Sequence, residues 1–243
     1  MERPAEAIET NVSLTADLLT ASLRSGKGGA PSRVLVASSS EVYGKGVGEV
    51  FSEEDDVVYG PTTVTRWSYA ASKALDEHLA LAHHSQSALP AVIVRFFNTV
   101  GPRQIGKYGM VLPRFVEAAL AGDPLTVFGD GTQSRCFCDV RDVVGVLPEL
   151  MSRDACAGRV FNVGSDQPIT INELAEAVIA ATGSSSKIEH TPYSAAYPRG
   201  FEDLKRRRPD LTRLRDAVGF EARVPLEKTI ADLAEAIQSE SVA

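Results

Sequence analysis

The chain runs Arg33-Val34-Leu35-Val36-Ala37 between a Gly- and Pro-containing loop over residues 26–32 and a trio of serines. An apolar run this short, without polar alternation, predicts a strand buried on both faces, as parallel strands are. Ala91-Val92-Ile93-Val94-Arg95-Phe96, introduced by Pro90, repeats the pattern, and residues 125–128 and 159–163 read as shorter strands. Helical spacing fills the intervals. Val12, Leu14, Leu18, Leu19 and Leu23 give a broad apolar face over residues 10–25, and further helices are expected over 69–84 and 112–121. Thr170-Ile171-Asn172-Glu173 is a capping box that opens a helix, and Gly183 closes it. Leu226, Ile230, Leu233 and Ile237 mark a last amphipathic helix. Residues 49–67 form a polar, proline-containing loop, and 104–109 a mobile one. Alternation of helix and strand predicts an α/β fold.

Composition narrows the function more than the fold. At 243 residues the chain has room for one large domain or one and a half ordinary ones. A net charge of −7 speaks against a nucleic-acid partner. Three cysteines without framework spacing suggest reduced thiols and a cytoplasmic setting. Cys136-Phe137-Cys138 reads as alternation along a strand, with no metal site. No apolar run approaches 18 residues and the start does not read as a signal peptide, so neither membrane insertion nor export is expected. His78, His83 and His84 read as surface or interface residues of their helix, and Cys136, Phe137 and Asp139 as packing and turn residues.

The candidate chemistry lies in two motifs about thirty residues apart: Ser38-Ser39-Ser40-Glu41-Val42-Tyr43-Gly44 at the end of the first strand, and Tyr69-Ala70-Ala71-Ser72-Lys73 opening a helix. Residues i and i+4 share a helix face, so Tyr69 and Lys73 point the same way. An ammonium within reach of a phenol favours the phenolate, whose ordinary pKa is about 10. A serine hydroxyl nearby can then hydrogen-bond the substrate oxygen whose proton the phenolate takes.

With Arg95-Phe96-Phe97-Asn98-Thr99-Val100-Gly101-Pro102-Arg103 downstream, this ordered set resembles the extended short-chain dehydrogenases/reductases, the nucleotide-sugar epimerases, dehydratases and decarboxylases. The resemblance implies a partial NAD-binding Rossmann fold, a parallel sheet with its first strands absent, and a small C-terminal substrate-binding region. It implies residues 1–100 as the NAD-binding and catalytic region and 101–243 as mainly the nucleotide-sugar region, with about 137–163 returning to the sheet. Ser39, Ser40, Glu41, Tyr69 and Lys73 become the expected catalytic residues, and Tyr69 and Lys73 also contact NAD. Ser39, Asn98, Arg103, Arg135, Arg207 and Asp210 are placed against the substrate: Arg135 and Arg207 on the diphosphate, where guanidinium forks suit, and Asp210 on a ribose hydroxyl. Arg206 and Arg208 read as solvated.

The family's Gly-x-x-Gly-x-x-Gly turn does not appear, and the resemblance starts near Arg3, so on the order of 70–90 residues are expected to be missing. The chain alone is then expected to turn over negligibly and to aggregate readily. Arg66-Trp67-Ser68 before Tyr69, Ser134-Arg135-Cys136-Phe137-Cys138-Asp139 and Gly200-Phe201-Glu202-Asp203 are most similar to UDP-glucuronate decarboxylases. Ser40-Glu41 stands where 4,6-dehydratases carry Asp-Glu, which lowers the dehydratase reading. A UDP-sugar 4-epimerase, or a non-catalytic sugar-nucleotide-binding and dimerising module, are the alternatives. The resemblance also implies a homodimer through the helices over 10–25 and 69–84, for which Leu14, Leu18 and Leu19, and Leu75, Leu79 and Ala82, supply apolar stripes.

Overall fold

The structure, a computed structural model, describes residues 3–46, 48–106, 110–196 and 207–240. It falls into two compact units, one made of residues 1–97, 144–164 and 209–221, the other of 98–143, 165–208 and 222–243.

The first unit is built on the expected parallel strands. β1 (Val34–Ser39) pairs with β2 (Ala91–Phe96) in parallel, with Val34 opposite Ala91 and Ser39 opposite Phe96, and β7 (Arg159–Val163) pairs on the other side of β2. The central strand carries the strongest apolar run because it has neighbours on both edges: Ala91 to Val94 are all fully buried. α1 (Pro4–Ser22) and α2 (Arg66–Ser87) pack against each other, and α2 packs on β1 and β2. Leu19, Val34, Val36, Ala80, Leu89 and Ile93 form the core beneath them. α7 (Thr212–Val218) lies against β7.

Both helices start earlier than the apolar spacing predicts. Pro4 sits in the first turn of α1, where its missing N–H and fixed φ cost nothing, and α1 ends at Ser22. The broad apolar face also narrows. Leu19 is fully buried while Leu14 and Leu18 are 61% and 56% exposed.

The second unit holds its own core. α3 (Val111–Ala121), α5 (Ile171–Thr182) and α8 (Leu226–Glu240) enclose Leu112, Phe115, Leu174, Val178, Ile230 and Leu233. The capping box is formed as expected: Thr170 Oγ1 accepts from the Glu173 amide at 3.1 Å, Glu173 accepts from the Thr170 amide at 2.8 Å, and Gly183 takes a left-handed φ of 63°. Three short pairings complete it. β3 (Thr99–Val100) runs beside β6 (Cys138–Asp139), β4 (Leu125–Phe128) beside β9 (Ile188–Thr191), and β5 (Ser134–Cys136) is antiparallel to β8 (Pro168–Thr170). The single strand expected around Cys136 is in fact two, and exposure does not alternate along it: Cys136, Phe137 and Cys138 are all buried. α4 (Val140–Ser152) follows β6, and α6 (Tyr193–Ala196) is a single turn after β9. Among the described residues, no helix is long and apolar enough to cross a membrane.

Candidate active site

In the first unit, β1 delivers its serines alternately to two faces. Ser38 is buried and donates to Glu77 of α2, Ser39 is half-buried at the strand's end, and Ser40 is buried again. Ser39 Oγ accepts from the Glu41 amide at 3.2 Å, which turns the chain into a 3₁₀ turn over Ser40–Tyr43. Gly44 closes that turn at a φ of 58°, and a Cβ there would meet the Val58 carbonyl oxygen at 2.2 Å. Glu41 forms an ion pair with Arg66, the first residue of α2, at 3.6 Å. The turn and the helix that bears Tyr69 are thereby tied together.

A buried polar network keeps this corner fixed. Arg95 of β2 clamps Glu77 with Nε at 2.9 Å and Nη2 at 2.7 Å, and its guanidinium lies over the Tyr43 ring at 4.7 Å. Tyr43 donates to Asn162 Oδ1 at 2.7 Å, and Asn162 donates from its side chain to the Phe51 carbonyl at 2.9 Å and from its backbone to Glu53 at 2.8 Å. Tyr43 stacks on Phe51 with centroids 4.9 Å apart. Burial pushes the phenols of Tyr43 and Tyr59 up to about 12, with the Glu77 charge adding to the effect at Tyr59. Both are therefore held protonated at neutral pH, and neither suits a general base.

Tyr69 and Lys73 lie one turn apart on α2, both half-buried. The lysine's hydrogen bond is not to Tyr69. Its Nζ donates to Asp76 Oδ2 at 2.8 Å, and the Asp76 side chain is fully buried. Sequence reasoning missed Asp76, Glu77 and Arg66. An i,i+3 acid after a lysine reads as a solvated pair, and only the packing of α1 and the sheet on this helix buries it.

Four of the candidate substrate residues belong to the second unit. Asn98 has a φ of 31°, a region asparagine tolerates, and its amide donates to the Cys136 carbonyl at 2.8 Å while its own carbonyl accepts from the Cys138 amide. Its side-chain nitrogen thus holds the loop. Arg103 is exposed with a φ of 68°. Arg135 is buried in β5 and donates to its neighbour Ser134's carbonyl at 2.7 Å, and Arg207 is likewise buried. Burial pushes the Cys136 and Cys138 thiols up to about 12, which makes them packing residues rather than nucleophiles. Among the described residues no group of His, Cys, Asp or Glu is arranged to hold a metal.

Asp210, in the first unit, has structural work of its own. Its Oδ1 accepts from the Thr212 amide at the start of α7 at 2.8 Å, its amide donates to the Phe51 carbonyl, and the Thr212 bonds hold its carboxyl below the usual range. Arg206, the Gly200–Asp203 motif and residues 107–109 of the expected mobile loop lie outside the described residues.

Three kinds of similarity bear on the chain's family and fold. The model of the NAD dependent epimerase/dehydratase family matches residues 1–164. UDP-N-acetyl-alpha-D-glucosaminuronate decarboxylase of Bacillus cytotoxicus is 45% identical over 229 residues, covering 94% of this chain and 69% of that protein. UDP-glucuronic acid decarboxylase 5 of Arabidopsis thaliana is 34% identical, with 93% of this chain and 62% of that protein covered. Among solved structures, MoeE5 in complex with UDP-glucuronic acid and NAD superposes with a TM-score of 0.78 at 31% identity, over 95% of this chain and 71% of that one. The chain belongs to the NAD dependent epimerase/dehydratase family, an enzyme family with the α/β fold that its sequence predicts. It spans between about half and 69% of the length of the curated relatives it matches.

Proposed function

We propose that the protein carrying this chain is an NAD-dependent decarboxylase of UDP-hexuronates that works by oxidation at C4. The observation that carries the reading is the 45% identity to a decarboxylase of an N-acetylated UDP-hexuronate, which names the substrate class. The site supports it in two ways. Tyr69 is half-buried on the helix that follows the strand-end serines and stands one turn from Lys73. At the position where a dehydratase has an acid stands Ser40, buried, and the neighbouring Glu41 is committed to Arg66.

In this reading Tyr69 accepts the proton of the C4 hydroxyl while Ser39 donates a hydrogen bond to the same oxygen. Tyr69 and Lys73 also hold NAD. Their donors fit a ribose, since Asp76 engages one of the ammonium's three protons and the other two are left for hydroxyl oxygens. When bound, NAD supplies the hydride acceptor that makes the C4 carbon a ketone, β to the substrate carboxylate. Arg135 and Arg207 bind the diphosphate, Arg103 faces the sugar and its phosphates, the Asn98 Oδ1 accepts from a sugar hydroxyl, and Asp210 meets a ribose hydroxyl. The buried thiols are consistent with a reducing, cytoplasmic setting. The exposed leucines of α1 and α2 are consistent with a homodimer.

The test is to incubate the whole protein that carries this chain with NAD and either UDP-glucuronate or its N-acetylglucosamine counterpart. Release of CO2 with a UDP-pentose product is expected. A C4 epimer without CO2 would overturn decarboxylation in favour of 4-epimerisation, and no reaction with any UDP-hexuronate or UDP-hexose would overturn the enzyme reading.

A further inference from the structure

Asp76 is a fully buried carboxylate that the chemistry above does not use. It sits in the row Ser72, Asp76, Ala80 of α2, whose members at i+4 spacing are all buried. That row faces α1, because Ser72 Oγ accepts from Asn11 of α1 at 3.0 Å. Oδ2 of Asp76 accepts from Lys73 at 2.8 Å, and Oδ1 is buried without a hydrogen-bond partner among the described residues. Other charges near the helix are engaged elsewhere. Glu77 is clamped by Arg95 of β2, Glu41 of the turn pairs with Arg66, β1 carries no ionisable side chain, and Glu6, Glu9 and Asp17 of α1 are exposed.

We infer that Asp76 is a positioning residue for Lys73, an internal counter-ion that fixes the ammonium on α2 before any ligand arrives. The physical reason is an asymmetry of cost. Lysine's long stem carries much rotamer entropy, so an unheld ammonium samples many positions. A buried carboxylate stripped of its one cation is strongly destabilised, so the pair stays closed through the reaction cycle. Asp76 thereby removes the search of the lysine chain while engaging one of the ammonium's three protons. The side chain of Lys73 is only 15% exposed, consistent with a held group rather than a free one.

This inference rests on the reading of Lys73 as a cofactor-binding residue, and its test separates the two. In the whole protein, the affinity for NAD is measured by calorimetry for the wild type, Asp76→Asn, Lys73→Met and the double variant. Asp76→Asn is expected to weaken binding roughly tenfold when Lys73 is present and to change it little in the Lys73→Met background, a coupling ordinary for neighbours in one ion pair. Equal weakening in both backgrounds, or none in either, overturns the positioning role. A second readout needs no cofactor. In ¹⁵N spectra of the ligand-free protein a pinned Lys73 gives a slowly exchanging ammonium signal, absent in Lys73→Met and lost in Asp76→Asn. Its survival in Asp76→Asn overturns the inference. Should Lys73→Met leave NAD affinity intact, the cofactor assignment falls, and the ammonium signal still decides the pinning. Asp76→Ala, which leaves no unpaired buried oxygen, serves both measurements if the asparagine variant does not fold.

Discussion

Three tyrosines of the first unit differ by environment. Tyr43 and Tyr59 are pushed up to about 12 by burial, while Tyr69 stands half-buried one turn from a pinned lysine. If Tyr69 is the base, Tyr69→Phe in the whole protein cuts kcat by several orders of magnitude and leaves UDP-sugar affinity nearly unchanged, because only the proton acceptor is lost and the ring volume is kept. Turnover by product analysis and affinity by calorimetry check it; a kcat near wild type would remove Tyr69 from the mechanism. The pairing of Tyr69 with Lys73 on one face was legible from spacing alone, since helix geometry fixes it. The acid that holds the lysine was not. Asp76 and Glu77 are consecutive charged residues, ordinarily a solvated feature, and what engages or covers them is distant in sequence: Arg95 lies 18 residues from Glu77, and Asn11 of the covering helix α1 bonds Ser72 across 61 residues.

At the scale of elements, strands were easier to read than helix ends. Ala91–Phe96 is buried on both faces because it is central, whereas Val34–Ser39, expected to be covered likewise, has only one neighbour in the sheet among the described residues and leaves Leu35 half-buried and Ala37 exposed. The start of α1 at Pro4 and of α2 at Arg66 rests on a local choice, proline tolerance in one case and the Arg66–Glu41 pair in the other, that apolar periodicity does not encode. The junction of β6 and α4 shows the same limit. Asp139 was expected only to pack and turn the chain, yet its carboxylate accepts from the Arg141 amide at 2.8 Å, from the Arg141 guanidinium and from Thr229 of α8 at 2.7 Å. Burial raises its pKa, and these partners outweigh burial, so the folded value lies below the unfolded one. A depressed acid stabilises the fold fully above its unfolded pKa of about 3.9 and loses that contribution as pH falls through the lower folded value. Asp139→Asn is therefore expected to lose about 1 kcal/mol or more at neutral pH. The loss should shrink as pH falls from about 4, where the unfolded carboxyl takes up its proton, and level off only below the lower folded value, where the native carboxyl is protonated too. Thermal melts across pH check it, and a deficit that stays constant into acid would show that the effect is packing and not charge.

At the scale of the whole molecule, the division of α1 between buried and exposed leucines bears on assembly. Leu19 fills the core beneath the sheet, whereas Leu14, Leu18 and, on α2, Leu75 are 61%, 56% and 48% exposed. Scattered exposed leucines are ordinary, but Leu14 and Leu18 are i and i+4 on one helix face, and α1 packs directly on α2. A helix that needed only its own sheet would use the stripe at Leu19 and present polar side chains at 14 and 18. A twofold axis beside the two helices would let the same patch from each subunit bury the other, as isologous interfaces do. In the dimer reading these leucines are what the second copy covers. The expected outcome is a dimer mass for the whole protein in sedimentation equilibrium at micromolar concentration, and a monomer mass after Leu14→Glu with Leu18→Glu, because the two introduced carboxylates would be buried against their symmetry mates. The first unit's core should be untouched by these changes, so the far-ultraviolet circular dichroism and melting of the monomer serve as the control for folding. A monomeric wild type with normal turnover would defeat the dimer and leave the exposed leucines of α1 as solvent-facing residues.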